Sequence, residues 1–431
     1  MKKILICMAA TALAYSSAWS TVYYVDPSGD DNAVGSRENP FKTLRKAIEA
    51  AEPGTSIYLK GGVHRPKESE IMLKGAEGVY SVLFSLDVKG TADMPVTITS
   101  YPGERAVVDL SEVKPDSRVM AFYLTGDYWH LKGFDITGIQ VTQTGHSQSI
   151  NVGIFGGNNC VVEQVNMHDG MGIGVYAVRG SDNLILNCDA YNNYDPVSGG
   201  GYGGNCDGFG FHFKDNGYSG NVIRGCRAWR NSDDGFDLIN NSSQVVIENC
   251  WAWENGYDAD LVSRGDGTGF KCGGYGMKPK AKAPGEIPRN VVRNCISYGN
   301  KNKGFYANHH LGGIDFENNT SFRDPSNFNM VNRKSAVEAV DVPGYGHSLC
   351  SNVAWEPRRP GEFCVNLCRE SSTLSSNSFD GNIAISEADF ESLDPAQLLA
   401  PRNPDGSLPE ITFLKLREET PAFKARIGYQ F

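Results

Sequence analysis

Three features are scarce in this 431-residue sequence, and each absence excludes a class of protein. After residue 20 there is no apolar run of about eighteen residues, which is the length that a membrane-spanning helix needs. Positive charge is in deficit, with 40 Lys and Arg against 50 Asp and Glu, so a nucleic-acid-binding surface is not expected. The cysteines do not have the spacing of a zinc site, and Cys364 and Cys368 form the only close pair. We therefore expect a protein that acts on neither a membrane nor nucleic acid.

The first twenty residues resemble an export signal. Lys2 and Lys3 form a charged start, Ile4–Ala14 supply a short apolar run, and Ala18-Trp19-Ser20 offers a small-x-small cleavage site. The apolar run is too short to span a bilayer, which argues against the alternative of a retained anchor. We expect a secreted monomer whose net charge, −10 for the full chain, becomes −12 once both lysines are removed. Such an acidic protein binds a polyanion only where its site is basic or holds a metal.

A repeated strand pattern dominates the middle of the chain. Each repeat has a β-branched or apolar strand, then Asn or Gly, and then usually Cys. Cys226 and Cys250 lie 24 residues apart, and larger gaps have room for inserted loops. Self-similarity of strands at this period is typical of a solenoid. The repeated dipeptides are Asn187-Cys188, Gly225-Cys226, Asn249-Cys250, Asn294-Cys295 and Asn318-Asn319.

These dipeptides predict how each coil bends and what it buries. Asn and Gly suit the left-handed backbone of a sharp bend, and the cysteines behind them would stack inside the solenoid. Free stacked thiols and disulfides between neighbouring coils both stay open. We therefore predict an all-β protein, a right-handed parallel β-helix that forms one domain over residues 21–431. Residues 21–90 would form the cap and first coils, with Pro40–Ala51 as a cap helix, and residues 370–431 a packed tail.

A second marker follows the dipeptides and consists of one variable residue, Gly, and an apolar or aromatic residue. In a parallel β-helix, equivalent positions of successive coils are stacked about 4.8 Å apart. Aligning the marker therefore predicts which residues are neighbours in space. The instances are Met171-Gly172-Ile173, Asp207-Gly208-Phe209, Asp234-Gly235-Phe236, Thr268-Gly269-Phe270 and Lys303-Gly304-Phe305.

This alignment predicts a patch of four carboxylates and one ammonium group drawn from separate coils. Asp207 and Asp234 share one repeat position, and Asp233 is next to Asp234. Asp237 follows three residues later, and its equivalent one coil further on is Lys271. Carboxylates about 5 Å apart repel each other strongly, so a divalent cation with oxygen ligands is expected, and Ca²⁺ suits such a site better than Mg²⁺. The simpler alternatives are aspartates that cap a turn and a solvated surface lysine.

Three segments resemble the calcium and catalytic motifs of the family 9 polysaccharide lyases. They are Cys206–Gly210, Asn231–Leu238 and Gly269–Gly274, and the middle segment is the longest and most specific. The resemblance covers most of the chain after the export signal. It implies that the four aspartates Asp207, Asp233, Asp234 and Asp237 bind Ca²⁺ and that Lys271 is the Brønsted base.

The resemblance also implies a reaction and a substrate. We expect β-elimination in an acidic plant cell-wall polysaccharide that contains galacturonate, with pectate (polygalacturonate) favoured. Rhamnogalacturonan I, cleaved by the same mechanism, is the alternative. The residues that we expect to contact the sugar chain are His212, Lys303, Tyr306, Asn308 and His309.

Two other functions are compatible with a parallel β-helix. An inverting hydrolase of the polygalacturonase type would use aspartates as acid and base. It also needs Gly-His-Gly and Arg-Ile-Lys motifs, and the nearest segments here are Gly346-His347-Ser348 and Arg426-Ile427-Gly428. A non-catalytic carbohydrate-binding scaffold needs no base, so Lys271 beside the carboxylates argues against it.

Overall fold

The computed structural model describes residues 20–274 and 286–431, so the predicted export signal lies outside the described residues except for Ser20. Short strands, numbered in chain order, stack into three long sheets of twelve, ten and eleven strands. Each coil contributes a strand to each sheet, and strands of successive coils pair in parallel, as β18 (Asn221–Arg224) does with β21 (Val245–Glu248). The described chain is therefore a parallel β-helix, as predicted.

The strands have the following bounds. Sheet 1 contains β1 Val22–Val25, β2 Ser56–Leu59, β6 Val96–Ser100, β9 Trp129–Lys132, β12 Val161–Glu163, β15 Leu184–Leu186, β18, β21, β24 Asn290–Arg293, β27 Ile314–Glu317, β32 Ser348–Cys350 and β35 Thr373–Ser375. Sheet 2 contains β3 Gly62–His64, β7 Ala106–Asp109, β10 Asp135–Thr137, β13 Asn166–His168, β16 Asp189–Tyr191, β19 Arg227–Trp229, β22 Trp251–Trp253, β25 Ile296–Tyr298, β28 Thr320–Phe322 and β33 Val353–Trp355. Sheet 3 contains β4 Leu73–Ala76, β5 Tyr80–Leu86, β8 Arg118–Leu124, β11 Ser149–Phe155, β14 Gly172–Arg179, β17 Phe209–Phe211, β20 Phe236–Asp237, β23 Phe270–Lys271, β26 Lys303–Tyr306, β29 Ser326–Asn329 and β34 Cys364–Val365. A separate antiparallel pair joins β30 Asn332–Arg333 to β31 Asp341–Val342.

The predicted cap helix is shorter than the sequence indicated. Helix α1 runs from Leu44 to Glu49, and the Thr43 hydroxyl caps it by accepting a hydrogen bond from the Lys46 amide. The preceding Phe41 is instead extended and bridges to Val25 of β1, which keeps Pro40–Lys42 out of the helix. The predicted apolar face of α1 is correct, because Leu44, Ala47 and Ile48 are buried. The role of α1 as a cap remains a prediction.

Stacked side chains fill the interior of the β-helix. Phe236 and Phe270 have ring centroids 4.7 Å apart, and Phe270 and Phe305 follow at 4.8 Å, which matches the expected coil spacing. The repeated Asn and Gly bends are left-handed as predicted, with φ 53° at Asn249 and 66° at Gly225. The cysteines behind them are buried, and the ten in the described chain carry free thiols.

A ladder of buried asparagines holds the bend that follows successive strands of sheet 2. The amide nitrogen Nδ2 of Asn193 donates to Oδ1 of Asn231 at 2.9 Å, and Nδ2 of Asn231 donates to Oδ1 of Asn255 at 3.1 Å. Asn300 extends the ladder, which ends at the buried carboxylate of Asp324. Because every rung bonds to the next coil, the ladder fixes the position of the segment that begins at Asn231.

The C-terminal chain covers the outer face of sheet 2. There Tyr191, Trp229 and Trp253 form an aromatic stack with centroid distances of 4.3 and 4.7 Å. Tail residues such as Leu398 and Phe413 belong to the same buried apolar cluster, and the short helix α2 (Pro421–Lys424) follows. The predicted tail, residues 370–431, includes β35, which is a strand of sheet 1. The boundary between the coils and the tail therefore stays a prediction. None of the helices in residues 20–274 and 286–431 is long and apolar enough to cross a membrane.

One buried ion cluster fastens the tail to the coils. The carboxylate of Asp189 on β16 accepts hydrogen bonds from Arg227 and from Arg402 of the tail, each at 2.6 Å. Burial alone would raise the pKa of Asp189, but the two guanidinium groups hold it below its ordinary value. This contribution to stability is therefore present above the unfolded pKa of an aspartate and is lost as pH falls through the lower folded value.

We predict that Asp189→Asn lowers the free energy of unfolding by about 3–5 kcal/mol at neutral pH, because it leaves two buried guanidinium groups without their counter-charge. Urea unfolding followed by circular dichroism measures this change. Glu418→Gln, which alters an exposed carboxylate of the same tail, is the matched control and should have no measurable effect. A loss below about 1 kcal/mol would show that the cluster contributes no more than a surface ion pair.

Candidate active site

Three of the four predicted aspartates converge beside sheet 3. Carboxylate oxygens of Asp207, Asp234 and Asp237 lie within 4.8 Å of one another, and all three side chains are buried. The Asp234 amide donates a hydrogen bond to Asp207 at 3.1 Å, so the backbone of one coil is tied to the carboxylate of the previous coil. The alignment of the repeats correctly predicted this contact between residues 27 positions apart.

Asp233 borders this trio without belonging to it. Its side chain is buried, and its Oδ1 atom accepts a hydrogen bond of 2.9 Å from the amide of Asp266. It is nevertheless close enough to raise the pKa of Asp207 by repulsion. Asp233 therefore adds a fourth carboxyl group at the edge of the site and anchors the loop that contains Asp266.

Lys271 occupies the position that the repeat alignment predicts. It pairs in register with Asp237 across β20 and β23. Its Nζ atom lies 2.9 Å from Oδ2 of Asp234 and 3.3 Å from Oδ2 of Asp237. The side chain of Lys271 is only 12% exposed, so a single ammonium group and the carboxylate trio share one buried patch.

Burial and mutual repulsion control the protonation of this patch. Burial first, and then the neighbouring carboxylates, raise the pKa of Asp207 well above its ordinary value, and burial and Asp234 do the same for Asp233. Burial alone would lower the pKa of Lys271, but Asp234 and Asp237 raise it well above normal. The single ammonium group of Lys271 cannot neutralise the four aspartates if all of them are ionised. A set of carboxylate oxygens that lacks matching positive charge fits a hard divalent cation such as Ca²⁺.

Glycines allow these segments to approach so closely. A Cβ atom on Gly208 would lie 2.6 Å from the carbonyl oxygen of Gly235, and one on Gly235 would lie 2.7 Å from that of Gly269. A side chain at Gly208 or Gly235 would therefore force the neighbouring coils apart. This contact brings the aspartate before each glycine next to its equivalent on the following coil.

Comparisons with known proteins agree with this geometry. Residues 23–344 match the family model described as "Pel9A-like, right handed beta helix region". The chain belongs to this family, the family 9 polysaccharide lyases. Pectate lyase L of Dickeya dadantii is 32% identical over 92% of this chain and 83% of its own length. A solved rhamnogalacturonan lyase is 44% identical with a TM-score of 0.90, covering 95% of this chain and 99% of its own. The solved pectate lyase Pel9A is 31% identical with a TM-score of 0.71, covering 93% and 90%.

The protein is thus a polysaccharide lyase, and the predicted right-handed fold is confirmed. The hydrolase and the non-catalytic scaffold are accordingly excluded as its main function. Secretion and the monomeric state remain predictions.

Two of the predicted sugar-contacting residues of this lyase lie next to Lys271. Tyr306 pairs with Lys271 in register, one coil further on. The Nζ atom of Lys303 lies 4.4 Å from the centre of the Tyr306 ring, and burial lowers the pKa of this lysine. Both side chains therefore line the C-terminal side of the carboxylate patch, and their role in binding sugar stays a prediction.

The other three predicted contacts are held within the protein. His212 lies on the N-terminal side of the patch, with Nε2 3.7 Å from Oδ2 of Asp237. Asn308 is buried and donates to the carbonyl of Gly273 at 2.7 Å. His309 is also buried, and its Nε2 atom lies 3.2 Å from the carboxylate of Asp341 on β31. Of these three, only His212 touches the carboxylate patch.

Sequence reasoning missed Tyr176 and Thr268. Tyr176 aligns with Gly210, which aligns with Asp237, so its ring lies on the same outer row as the lysine. Thr268 donates its amide to Oδ1 of Asp234 at 2.6 Å. Thr268 was available from the repeat alignment as a marker residue. Tyr176 was not, because the alignment set Ile173 opposite Phe209, and this part of it is wrong: the structure pairs Val175 with Phe209, two residues further on.

We predict that Gly235→Ala destabilises the lyase by about 1–3 kcal/mol, because the new methyl group would force the Gly269 carbonyl away. Urea unfolding measures the loss. Gly145→Ala is the control, since a Cβ atom there meets nothing within 4 Å and should have little effect. Equal stabilities of the two variants would mean that the coils are not in firm contact at Gly235.

Proposed function

We propose that this lyase cleaves the backbone of rhamnogalacturonan I at its galacturonate residues by β-elimination, with Lys271 as the base and Ca²⁺ as cofactor. The observation that carries the proposal is the position of Lys271 Nζ, 2.9 Å and 3.3 Å from two carboxylates of the buried trio. A base and a set of metal-binding oxygens on one patch are what removal of a proton beside a carboxylate requires.

The choice of polymer rests on similarity. The rhamnogalacturonan lyase is 44% identical, and the match covers 99% of its chain, whereas pectate lyase L of Dickeya dadantii and Pel9A are 32% and 31% identical. Pectate is the second candidate, because proteins named pectate lyase match over more than nine-tenths of this chain. Both polymers contain galacturonate, so the same catalytic centre serves either.

The reaction follows from the chemistry of galacturonate. The C5 proton is weakly acidic because C5 bears the carboxylate. Lys271 removes this proton, the electrons of the C5–H bond form a C4–C5 double bond, and the bond between C4 and its oxygen breaks. The departing oxygen takes a proton from water and leaves as the hydroxyl of the released chain, and the other product is an unsaturated uronate. Ca²⁺, when held by Asp207, Asp233, Asp234 and Asp237, would supply positive charge that stabilises the developing negative charge on the uronate.

Protonation of Lys271 must change for it to act. In the arrangement described, Asp234 and Asp237 raise its pKa and keep it charged. A general base must be neutral, so Lys271 works only when the negative charge beside it is compensated. Its near-complete burial then favours the neutral form, because desolvation disfavours an ammonium group.

We expect Lys271→Ala to lower turnover by at least about 10²–10⁴-fold while the thermal unfolding midpoint stays near that of the natural protein. The assay is the ultraviolet absorbance of the unsaturated product, with rhamnogalacturonan I and polygalacturonate as separate substrates, each with and without EDTA. Lys89→Ala, at an exposed lysine outside the site, is the control and should keep full activity. Substantial turnover by Lys271→Ala would refute the base assignment, and a rise on polygalacturonate alone would favour pectate.

Calcium should stabilise the folded protein through the aspartates. At a Ca²⁺ concentration about 100 times Kd, the expected gain is about 2.7 kcal/mol, visible as a higher unfolding temperature. Asp234→Asn should abolish the gain without destabilising the calcium-free protein, because it removes a repelling charge and leaves Asp237 as a partner for Lys271. Asp116→Asn, at an exposed position, should keep the gain. If Ca²⁺ raised the unfolding temperatures of Asp234→Asn and Asp116→Asn equally, the cation would bind at a site that does not include Asp234.

A further inference from the structure

Two long connections between sheets 2 and 3 meet at Asp233. The first comprises residues 192–208 and the second residues 254–269. The carbonyl of Gly203 in the first accepts a hydrogen bond of 2.7 Å from the Ser232 hydroxyl, and the second donates the Asp266 amide to Asp233. A Cβ atom on Gly265 would lie 2.5 Å from the Ser232 carbonyl oxygen and 2.9 Å from that of Gly203. The two connections are therefore packed against the segment that contains the carboxylates.

The first connection is shaped to present one tyrosine. Gly199, Gly200, Gly201 and Gly203 have φ values of 56°, 72°, 75° and 82°, a region that other residues rarely adopt. Among these glycines, Tyr202 is the one large side chain, and it is 55% exposed. The ring is therefore held outside the packed interior by a backbone that only glycines allow at low cost.

The Tyr202 ring is also held in place. Nζ of Lys301 lies 5.7 Å from the ring centre, and the Tyr202 hydroxyl lies 3.5 Å from Oδ1 of Asp266. Lys301 itself is fixed, because it donates to the carbonyl oxygens of Arg264 and Gly265. By contrast, the nearby Tyr194 ring is covered by the Arg264 guanidinium at 4.3 Å. An exposed and oriented aromatic ring thus stands beside the carboxylate patch.

We propose that Tyr202 is a stacking platform for one sugar residue of the polysaccharide, adjacent to the galacturonate that is cleaved. This inference rests on the proposed function. Pyranose rings present apolar C–H faces that pack on an aromatic ring, and the contact buries area that the free protein leaves in water. Because Lys301 and Asp266 already orient the ring, little side-chain freedom is lost on binding. Loops rather than the stacked coils would then supply this part of the substrate contact.

The test compares Tyr202→Ala with Tyr202→Phe on rhamnogalacturonan I and polygalacturonate. Tyr202→Ala should raise KM about tenfold with a smaller change in kcat, because it removes an aromatic contact. Tyr202→Phe keeps the ring and should restore most of the affinity. Phe423→Ala, which removes a 40% exposed ring from the tail, is the matched control and should leave KM unchanged. Unfolding temperatures of all variants should agree within a few degrees.

A binding measurement separates affinity from turnover. Titration of rhamnogalacturonan oligosaccharides into Lys271→Ala, and into the same variant carrying Tyr202→Ala, should show an approximately tenfold weaker Kd in the second. If natural protein cleaves a polymer but Tyr202→Ala changes neither KM nor Kd, the platform is refuted and the proposed function stands. A kcat loss with a lowered unfolding temperature, not rescued by Tyr202→Phe, would also refute it. If the natural protein cleaves neither polymer, the proposed function is refuted, and the stacking platform that rests on it is refuted as well.

Discussion

At Gly208 and Gly235 the backbone of one coil touches the next, because a Cβ atom there would lie 2.6 and 2.7 Å from a carbonyl oxygen of the following segment. These contacts hold the register of the coils that carry the site. Phenylalanine rings can stack inside at 4.7–4.8 Å because the register is held. Outside, the same register places Asp237 against Lys271. Core packing and site geometry are thus two results of one steric requirement.

The candidate site differs from the rest of the coils in its concentration of buried carboxyl groups. Elsewhere on the coils, neutral residues such as the asparagines of the buried ladder satisfy one another with hydrogen bonds. Beside sheet 3 the chain instead concentrates four carboxylates around one lysine, and burial makes that charge costly. A bound cation would offset this cost, and that is the physical ground for the proposed calcium site.

Much of the fold was predictable because the repeat is short and its signals are steric. The left-handed φ of Asn249 and the pairing of Asp237 with Lys271 both follow from aligned positions. Helix α1 began later than predicted because Phe41 pairs with β1, a long-range contact that a local pattern does not reveal. The anchoring of the tail by Arg402 on Asp189 joins residues 213 positions apart and lies outside any repeat. The asparagine ladder is in register, but Asn at a bend already has a sufficient local explanation, so the sequence alone does not predict that these side chains bond to one another.

The two long connections that meet at Asp233 are packed under weaker constraints than the coils. A substitution in a coil disturbs the coils above and below it, whereas Tyr202 is 55% exposed and its substitution disturbs mainly its contacts with Lys301 and Asp266. Under the proposed role of Tyr202, part of the choice of polymer lies in these connections and is separate from the carboxylates and the lysine. The length and aromatic content of these two segments, more than overall sequence identity, should separate members of the family by the sugar chain they degrade.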